Sequence, residues 1–120
     1  MQYLLLIHGD ETERQTISPD DSKAMLGAYM AYTQAMKDAG VYLAGEALHP
    51  STTGASVRVR DGKTQVLDGP YAEAKEQLAG YYLVDTPDLD AALAWAARCP
   101  GAGYGTMEVR PILDFRTGNA

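Results

Sequence analysis

The chain has 120 residues, 46% of them apolar, with a formal net charge of −6. That is one domain's worth of chain, able to bury roughly 65% of its unfolded surface, so no disulfide or metal staple is required. The negative charge repels a phosphate backbone, and with no run of lysine or arginine the expectation is no nucleic-acid partner.

Gln2 to His8 reads as a strand. Leu4 and Leu6 point to one face and Tyr3, Leu5 and Ile7 to the other. Both sets are apolar, which predicts a central strand covered on both sides. The same run is too short for a signal h-region and has no basic flank. Asp10 to Ser18 is polar and reads as a loop. Ser18-Pro19-Asp20-Asp21 opens a helix: serine caps, proline suits the first position, and the acids favour the positive end of the dipole. Met25, Leu26, Tyr29, Met30, Thr33 and Met36 follow at helical spacing, and Gly40 ends the helix.

Val41 to Ala44 is a short strand, and Gly45 to Gly54 a loop holding His49-Pro50. Ser56 to Arg60 alternates arginine with valine. Asp61-Gly62 is a two-residue hairpin signal, with Lys63 to Leu67 as the returning strand. Asp68 to Leu78 is an irregular segment with room for a short helical turn. Tyr81 to Asp85 is a strand, apolar on both faces. Thr86-Pro87-Asp88 opens a second helix with Leu89, Ala92, Leu93, Ala96 and Ala97 as its apolar stripe, stopped by Cys99-Pro100-Gly101. Thr106 to Leu113 is the last strand, and 114–120 a loose tail on a single domain of 1–113.

This β-α-β, hairpin, β-α-β order predicts an α+β, ferredoxin-like βαββαβ sandwich with an inserted β-hairpin. Two helices cover one face of a sheet, yet two strands are apolar on both. A second copy of the sheet is the simplest cover, so a homodimer is predicted, a dimeric α+β barrel-like assembly. Cys99 is the one cysteine, which excludes an internal disulfide and suits a reducing compartment. No segment nears the ~18 apolar residues of a membrane helix. A cytoplasmic protein with no membrane partner is expected.

The stretch from Asp68 through Gly69-Pro70-Tyr71-Ala72-Glu73-Ala74-Lys75-Glu76-Gln77-Leu78-Ala79-Gly80 to Tyr82 resembles the signature of the DGPF-type branch of the YCII-related proteins, with Tyr71 where phenylalanine is usual. Thr106 to Pro111 is similar to that branch's closing strand, and Gly45 to Pro50 to its loop after the second strand. The resemblance spans Met1 to Leu113. It implies a dimeric ferredoxin-like fold. For the wider group it implies enzymes with a candidate site built on a first-helix histidine and an aspartate. Here the matching helix stretch offers Gly27, Ala28, Tyr29 and Tyr32, so that mechanism does not carry over. The resemblance also implies an association with an extracytoplasmic-function sigma factor.

The chemistry-bearing groups admit two readings each. Asp68 before Gly69-Pro70 is a turn cap, or a carboxylate fixed at a pocket edge. Glu73, Lys75 and Glu76 are a solvated turn with weak ion pairs, or a site in which lysine holds an anion and a carboxylate moves a proton. Glu108 and Arg110 share a strand face and suggest a buried pair locking the DGPY segment or the dimer, with Arg110 able to hold a carboxylate or phosphate. Arg58 and Arg60 read as a polar sheet face. His49, in a loop, is a candidate general base, whereas His8 reads as a hydrogen-bonded edge residue. Tyr71 and Tyr82 are candidate substrate contacts. No metal is expected without an HxH or HExxH spacing, and no cofactor without a Walker loop, GxGxxG or GxSxG.

These residues support a small-molecule enzyme or binder for an anionic metabolite, with Asp68, Glu73, Lys75, Glu76 and His49 as catalytic candidates and Tyr71, Lys75, Tyr82, Arg110 and Glu108 as binding candidates. The alternative is a non-catalytic partner of a sigma factor. A third reading makes Asp68, Lys75 and Glu108 a purely structural tie.

Overall fold

The apolar run at the N-terminus becomes strand β1, Gln2–Gly9, with Tyr3, Leu5 and Ile7 buried and Leu4, Leu6 and His8 half-buried on the other side. In the computed structural model, which describes residues 1–116, β1 lies inside a four-stranded antiparallel sheet. Its neighbours are β5, Gln77–Asp85, and β6, Thr106–Pro111, while β2, Tyr42–Ala47, lies outside β5. The order β2-β5-β1-β6 with helices between the strands is a mixed α+β arrangement compatible with a ferredoxin-like fold. Helix α2, Pro19–Asp38, and helix α3, Leu89–Arg98, pack against the Tyr3, Leu5 and Ile7 side.

The helix starts follow their caps. The Ser18 hydroxyl accepts from the Asp21 N–H, with Pro19 at the first helical position. The Asp88 carboxylate accepts from the Ala91 N–H. The expected loop after β1 instead contains helix α1, Glu11–Gln15, because Asp10 caps it through the Thr12 N–H and hydroxyl. The expected helical turn in the DGPY segment is absent. Residues 69–76 are irregular, Gly69 sits at φ 87°, and β5 begins at Gln77 rather than Tyr81. Strand β2 runs to Ala47, past the expected Ala44.

The core faces of both helices agree with expectation at Tyr29, Met36, Ala92 and Ala96 and depart from it elsewhere. On α2, Tyr32 and Met36 are buried while Leu26 and Met30 are about two-thirds exposed. On α3, Ala92 and Ala96 are buried, and Leu89, Leu93 and Ala97 are exposed. Two alanines let α3 lie close on the sheet, and Trp95 then fills the gap toward α2. The Tyr32 hydroxyl donates to the Trp95 carbonyl at 2.7 Å, and the Tyr32 ring meets Tyr82 edge-on at 5.4 Å. Tyr82 in turn shares a 2.9 Å hydrogen bond with Thr33. A Cβ on Gly45 would come within 2.5 Å of the Tyr82 ring, so glycine there lets the ring lie across β2.

The second sheet is a hairpin of β3, Ala55–Arg60, and β4, Lys63–Asp68. Its turn is the expected Asp61-Gly62, with both residues at positive φ (52° and 72°), as the primed hairpin turns demand. Two further features matter for the site. The register of β1 against β5 slips between Ile7 and His8, leaving Ala79 as an extra residue on β5. And the molecule is flat, 48 × 47 × 18 Å, with α2 and α3 on one face of the sheet and the other face bare among the described residues. Leu4 and Leu6 of β1, Tyr81 and Leu83 of β5 and Ala44 of β2 stand together on that face. The expected loose tail, 114–120, falls partly outside the described residues; within them, Phe115 and Arg116 form an exposed turn.

Candidate functional site

The bare sheet face is flanked by polar groups, Arg110 and Glu108 of β6 opposite Leu4 and Leu6 and Glu46 of β2 opposite Tyr81, and His8 adds another where β1 ends. His8 stands opposite Thr106 of β6, so it faces the same way as Thr106, Glu108 and Arg110. The His8 Nε2 atom lies 3.1 Å from Glu108 Oε1, a diagonal pair across the two strands. Arg110 Nη1 lies 3.5 Å from the other oxygen, Glu108 Oε2. An ionised carboxylate only accepts, so His8 Nε2 is the donor in that contact and Nδ1 is not used by it. The pair is wet enough to meet a ligand: the His8 side chain is 27% exposed and Glu108 43%.

The DGPY segment reaches this end of the sheet through Glu76, whose Oε1 accepts from the Thr106 hydroxyl at 2.7 Å. Gln77 continues the connection. Its Oε1 accepts from the Glu11 N–H at 3.0 Å, while its Nε2 donates to the Ala74 carbonyl at 2.6 Å. Glu11 is buried, and its two carboxylate oxygens accept from the Ser51 N–H (2.5 Å) and the Ser51 hydroxyl (2.8 Å). The Asp10 carboxyl nearby is held below the usual carboxylate range, chiefly by hydrogen bonds from the Thr12 hydroxyl and N–H, with a lesser pull from the Lys75 ammonium.

Of the residues singled out in the sequence, Glu108 and Arg110 pair here, and Glu76 reaches the same strand at Thr106. Glu108 and Arg110 pair with each other, as expected, but they are partly exposed and do not bond the DGPY segment; Thr106 makes that link. Lys75 is exposed beside Asp10. Asp68 is the exposed last residue of β4, and Glu73 and Tyr71 are exposed, Tyr71 at 86%. His49 is exposed in the loop before a short 3-10 turn at Ser51–Thr53. Tyr82 lies in the core on the helix side of the sheet, opposite to Glu108 and Arg110. The reading of Asp68, Lys75 and Glu108 as a mutually bonded buried tie therefore lacks its geometry.

His8 is the group the sequence undervalued. Its parity with Leu4 and Leu6 told its face, but nothing local told that β6 would lie alongside. Cys99 is buried beside Tyr29, and burial pushes its thiol up, which keeps it protonated and unreactive near neutral pH. Among the described residues no group of three or more His, Cys, Asp or Glu side chains is placed to hold a metal, and no helix is long and apolar enough to cross a membrane. A separate shallow groove of about 290 Å³ runs along α2 between Tyr29, Met30, Thr33, Gln34 and Lys37.

Comparison with known proteins agrees with the resemblance read in the sequence. The YCII-related domain matches residues 1–116. An uncharacterized protein, R00369, of Rhizobium meliloti (strain 1021) is 35% identical over 120 residues, covering 98% of this chain and 97% of the relative.

Proposed function

Since this chain belongs to the YCII-related family, we propose that it is a DGPF-type member that binds, and acts on, a small anionic metabolite at the His8 end of the bare sheet face. The observation that carries this is the His8–Glu108 contact of 3.1 Å with Arg110 beside it. Glu108 orients the imidazole, and His8 Nδ1 is the proton acceptor or donor toward a ligand. Arg110 uses its remaining N–H groups to hold a carboxylate or phosphate. Leu6 and Tyr81, next along the face, give an apolar floor for the ligand's carbon skeleton. Glu76 and Lys75 come from the DGPY segment to the rim. Asp68, Glu73, Tyr71, His49 and Tyr82 have no part in this version of the site.

A second copy packed on the bare face completes the reading. Among the described residues no layer covers the apolar strip from Leu4 to Leu83, and domains are built from layers that bury such strips. A self-paired, two-fold dimer would wall the His8 end off from bulk water and form the barrel-like assembly. The alternative, a non-catalytic partner of an extracytoplasmic-function sigma factor, draws on one observation: the Tyr71 to Lys75 stretch is exposed, with an aromatic ring at its head.

The test is thermal shift against a panel of small carboxylates and phosphates, with wild type and Arg110→Met side by side. A ligand at ~100 times its dissociation constant adds about 2.7 kcal/mol of stability, a rise of several degrees. A rise in wild type that Arg110→Met and His8→Asn lose supports the site. No rise with any member of the panel, together with binding of a sigma-factor domain that Tyr71→Ser abolishes, moves the function to the alternative.

A further inference from the structure

The β3–β4 hairpin has two unlike sides. Residues opposite in register share a face, so Val57 with Val66, and Val59 with Thr64, stand on one side, and Arg58 with Gln65, and Arg60 with Lys63, on the other. Val57 is 64% exposed, Val66 61% and Val59 57%. Every residue of the two strands is exposed except Ser56. The ribbon is fastened at its base, where the Gly69 N–H donates to the Gly54 carbonyl at 2.7 Å and the Ser56 hydroxyl to the Gly69 carbonyl at 3.3 Å. A lone two-stranded ribbon is marginally stable in water, and a row of valines on it gains nothing from solvent.

Charge identifies what covers it. Between residues 55 and 67 the chain has three cations, Arg58, Arg60 and Lys63, against one acid, Asp61. The rest of the chain therefore holds seven cations against fifteen acids. A basic ribbon and an acidic body in one chain are complementary between copies. The valines lie on the face away from the cations, so a nucleic acid or anionic lipid surface drawn to the cations would leave the valines wet. A protein surface can take the valines flat, and Arg58 and Arg60, each held to the ribbon by one N–H (to Gln65 and to the Val59 carbonyl), keep further N–H groups for acids at the ribbon's edges.

We propose that the β3–β4 ribbon is an arm that docks on a second copy of this chain, its Val57, Val59 and Val66 face against that copy's body and Arg58, Arg60 and Lys63 directed at its acidic groups. With two-fold symmetry each copy gives one arm and receives one. This rests on the dimer reading above only in requiring a second copy; its surface is separate from the bare sheet face.

Sedimentation velocity on the full chain tests it, with wild type, Val57→Lys/Val66→Lys, Arg58→Glu/Arg60→Glu, and Leu6→Lys on the sheet face. Wild type is expected to self-associate. Val57→Lys/Val66→Lys weakens that association by about tenfold or more, as loss of buried apolar anchors does. Raising salt from about 0.05 to about 0.5 M weakens wild-type association, and Arg58→Glu/Arg60→Glu removes that dependence. Should the valine variant lose its native circular dichroism, the arginine variant, which reverses exposed charge and removes the exposed Arg58–Gln65 and Arg60–Val59 hydrogen bonds, carries the test alone. Wild-type association constants in both arm variants, with Leu6→Lys monomeric, would overturn the arm and leave the sheet-face dimer standing. A wild type monomeric at every concentration overturns both. Wild-type binding to anionic vesicles or duplex DNA that the arm variants lose, with self-association unchanged, also overturns the proposal.

Discussion

The buried carboxylate of Glu11 accepts from both the backbone N–H and the hydroxyl of Ser51, 40 residues away in the chain. It thereby ties α1 to the 3-10 turn behind the His49 loop, while the Glu11 N–H is held by Gln77 at the head of β5. Three segments that meet nowhere in the sequence are fixed at one residue, two of them by the Glu11 side chain and the third by its backbone N–H. Glu11→Ala leaves the Ser51 N–H without its acceptor and should cost about 1–3 kcal/mol. A urea midpoint measurement with unchanged m-value would register the loss; a midpoint equal to wild type would remove Glu11 from this role.

Gly105 is expected to be intolerant. A Cβ there would run into the His8 carbonyl oxygen, with the Gly101 carbonyl 3.2 Å away on another side. Gly105→Ala must push β6 from β1 at the point where Glu108 reaches His8. Overpacking of this kind costs roughly 1–3 kcal/mol. The amide spectrum should show shifts centred on His8 and Thr106, and a spectrum unchanged there would contradict the close approach.

Lys75→Met should leave the melting temperature almost unaltered, within about 0.5 kcal/mol, because the side chain is exposed. Glu76→Ala should lower it, by about 0.5–1.5 kcal/mol for the lost hydrogen bond from Thr106. The opposite ranking in paired calorimetric scans would mean that Lys75, not Glu76, anchors the DGPY segment.

Alkaline pH should unfold the chain, with a sign set by burial. The Tyr29, Tyr32, Tyr82 and Cys99 acids are all pushed up, chiefly by burial, so the fold favours their neutral forms. That stability is complete below the unfolded-chain values, ~8.5 for cysteine and ~10 for tyrosine, and falls as pH rises from there through the higher folded values. Melting temperature should hold to about pH 8 and then decline. Cys99→Ala should delay the first part of the decline, whatever it costs at neutral pH. A Cys99→Ala profile parallel to wild type between pH 8 and 10 would refute the assignment.

The strands of the fold were legible from short apolar runs at Gln2–His8 and Tyr81–Asp85, from the alternation of Ser56–Arg60 and from turn residues with one meaning, as Asp61-Gly62 shows. The helix faces were less so. Met36, Ala92 and Ala96 match a helical period and are buried, but Leu26, Met30, Leu89 and Leu93, which match the same period, are exposed, and Tyr32 enters the core instead. The site was half legible. Glu108 and Arg110 follow from residue type and parity, but the His8 contact depends on which strand lies beside β1, a long-range choice no local pattern encodes. The AEAKE run drew attention by its charge density, and most of that charge faces water.

The extra residue on β5 has a consequence for how the chain tolerates change. Because Ala79 is passed over by β1, Leu78 faces the same side as His8, although even-numbered Gly80, Tyr82 and Val84 face the helices. Everything upstream on that strand is thus phased one step out from everything downstream. Excising Ala79 would rotate Gln77 away from the Glu11 amide and carry the DGPY segment with it, whereas adding or removing residues at the tip of the β3–β4 ribbon would leave that phase untouched. Length variation among relatives should therefore collect at the ribbon and avoid the few residues between Glu76 and Gly80.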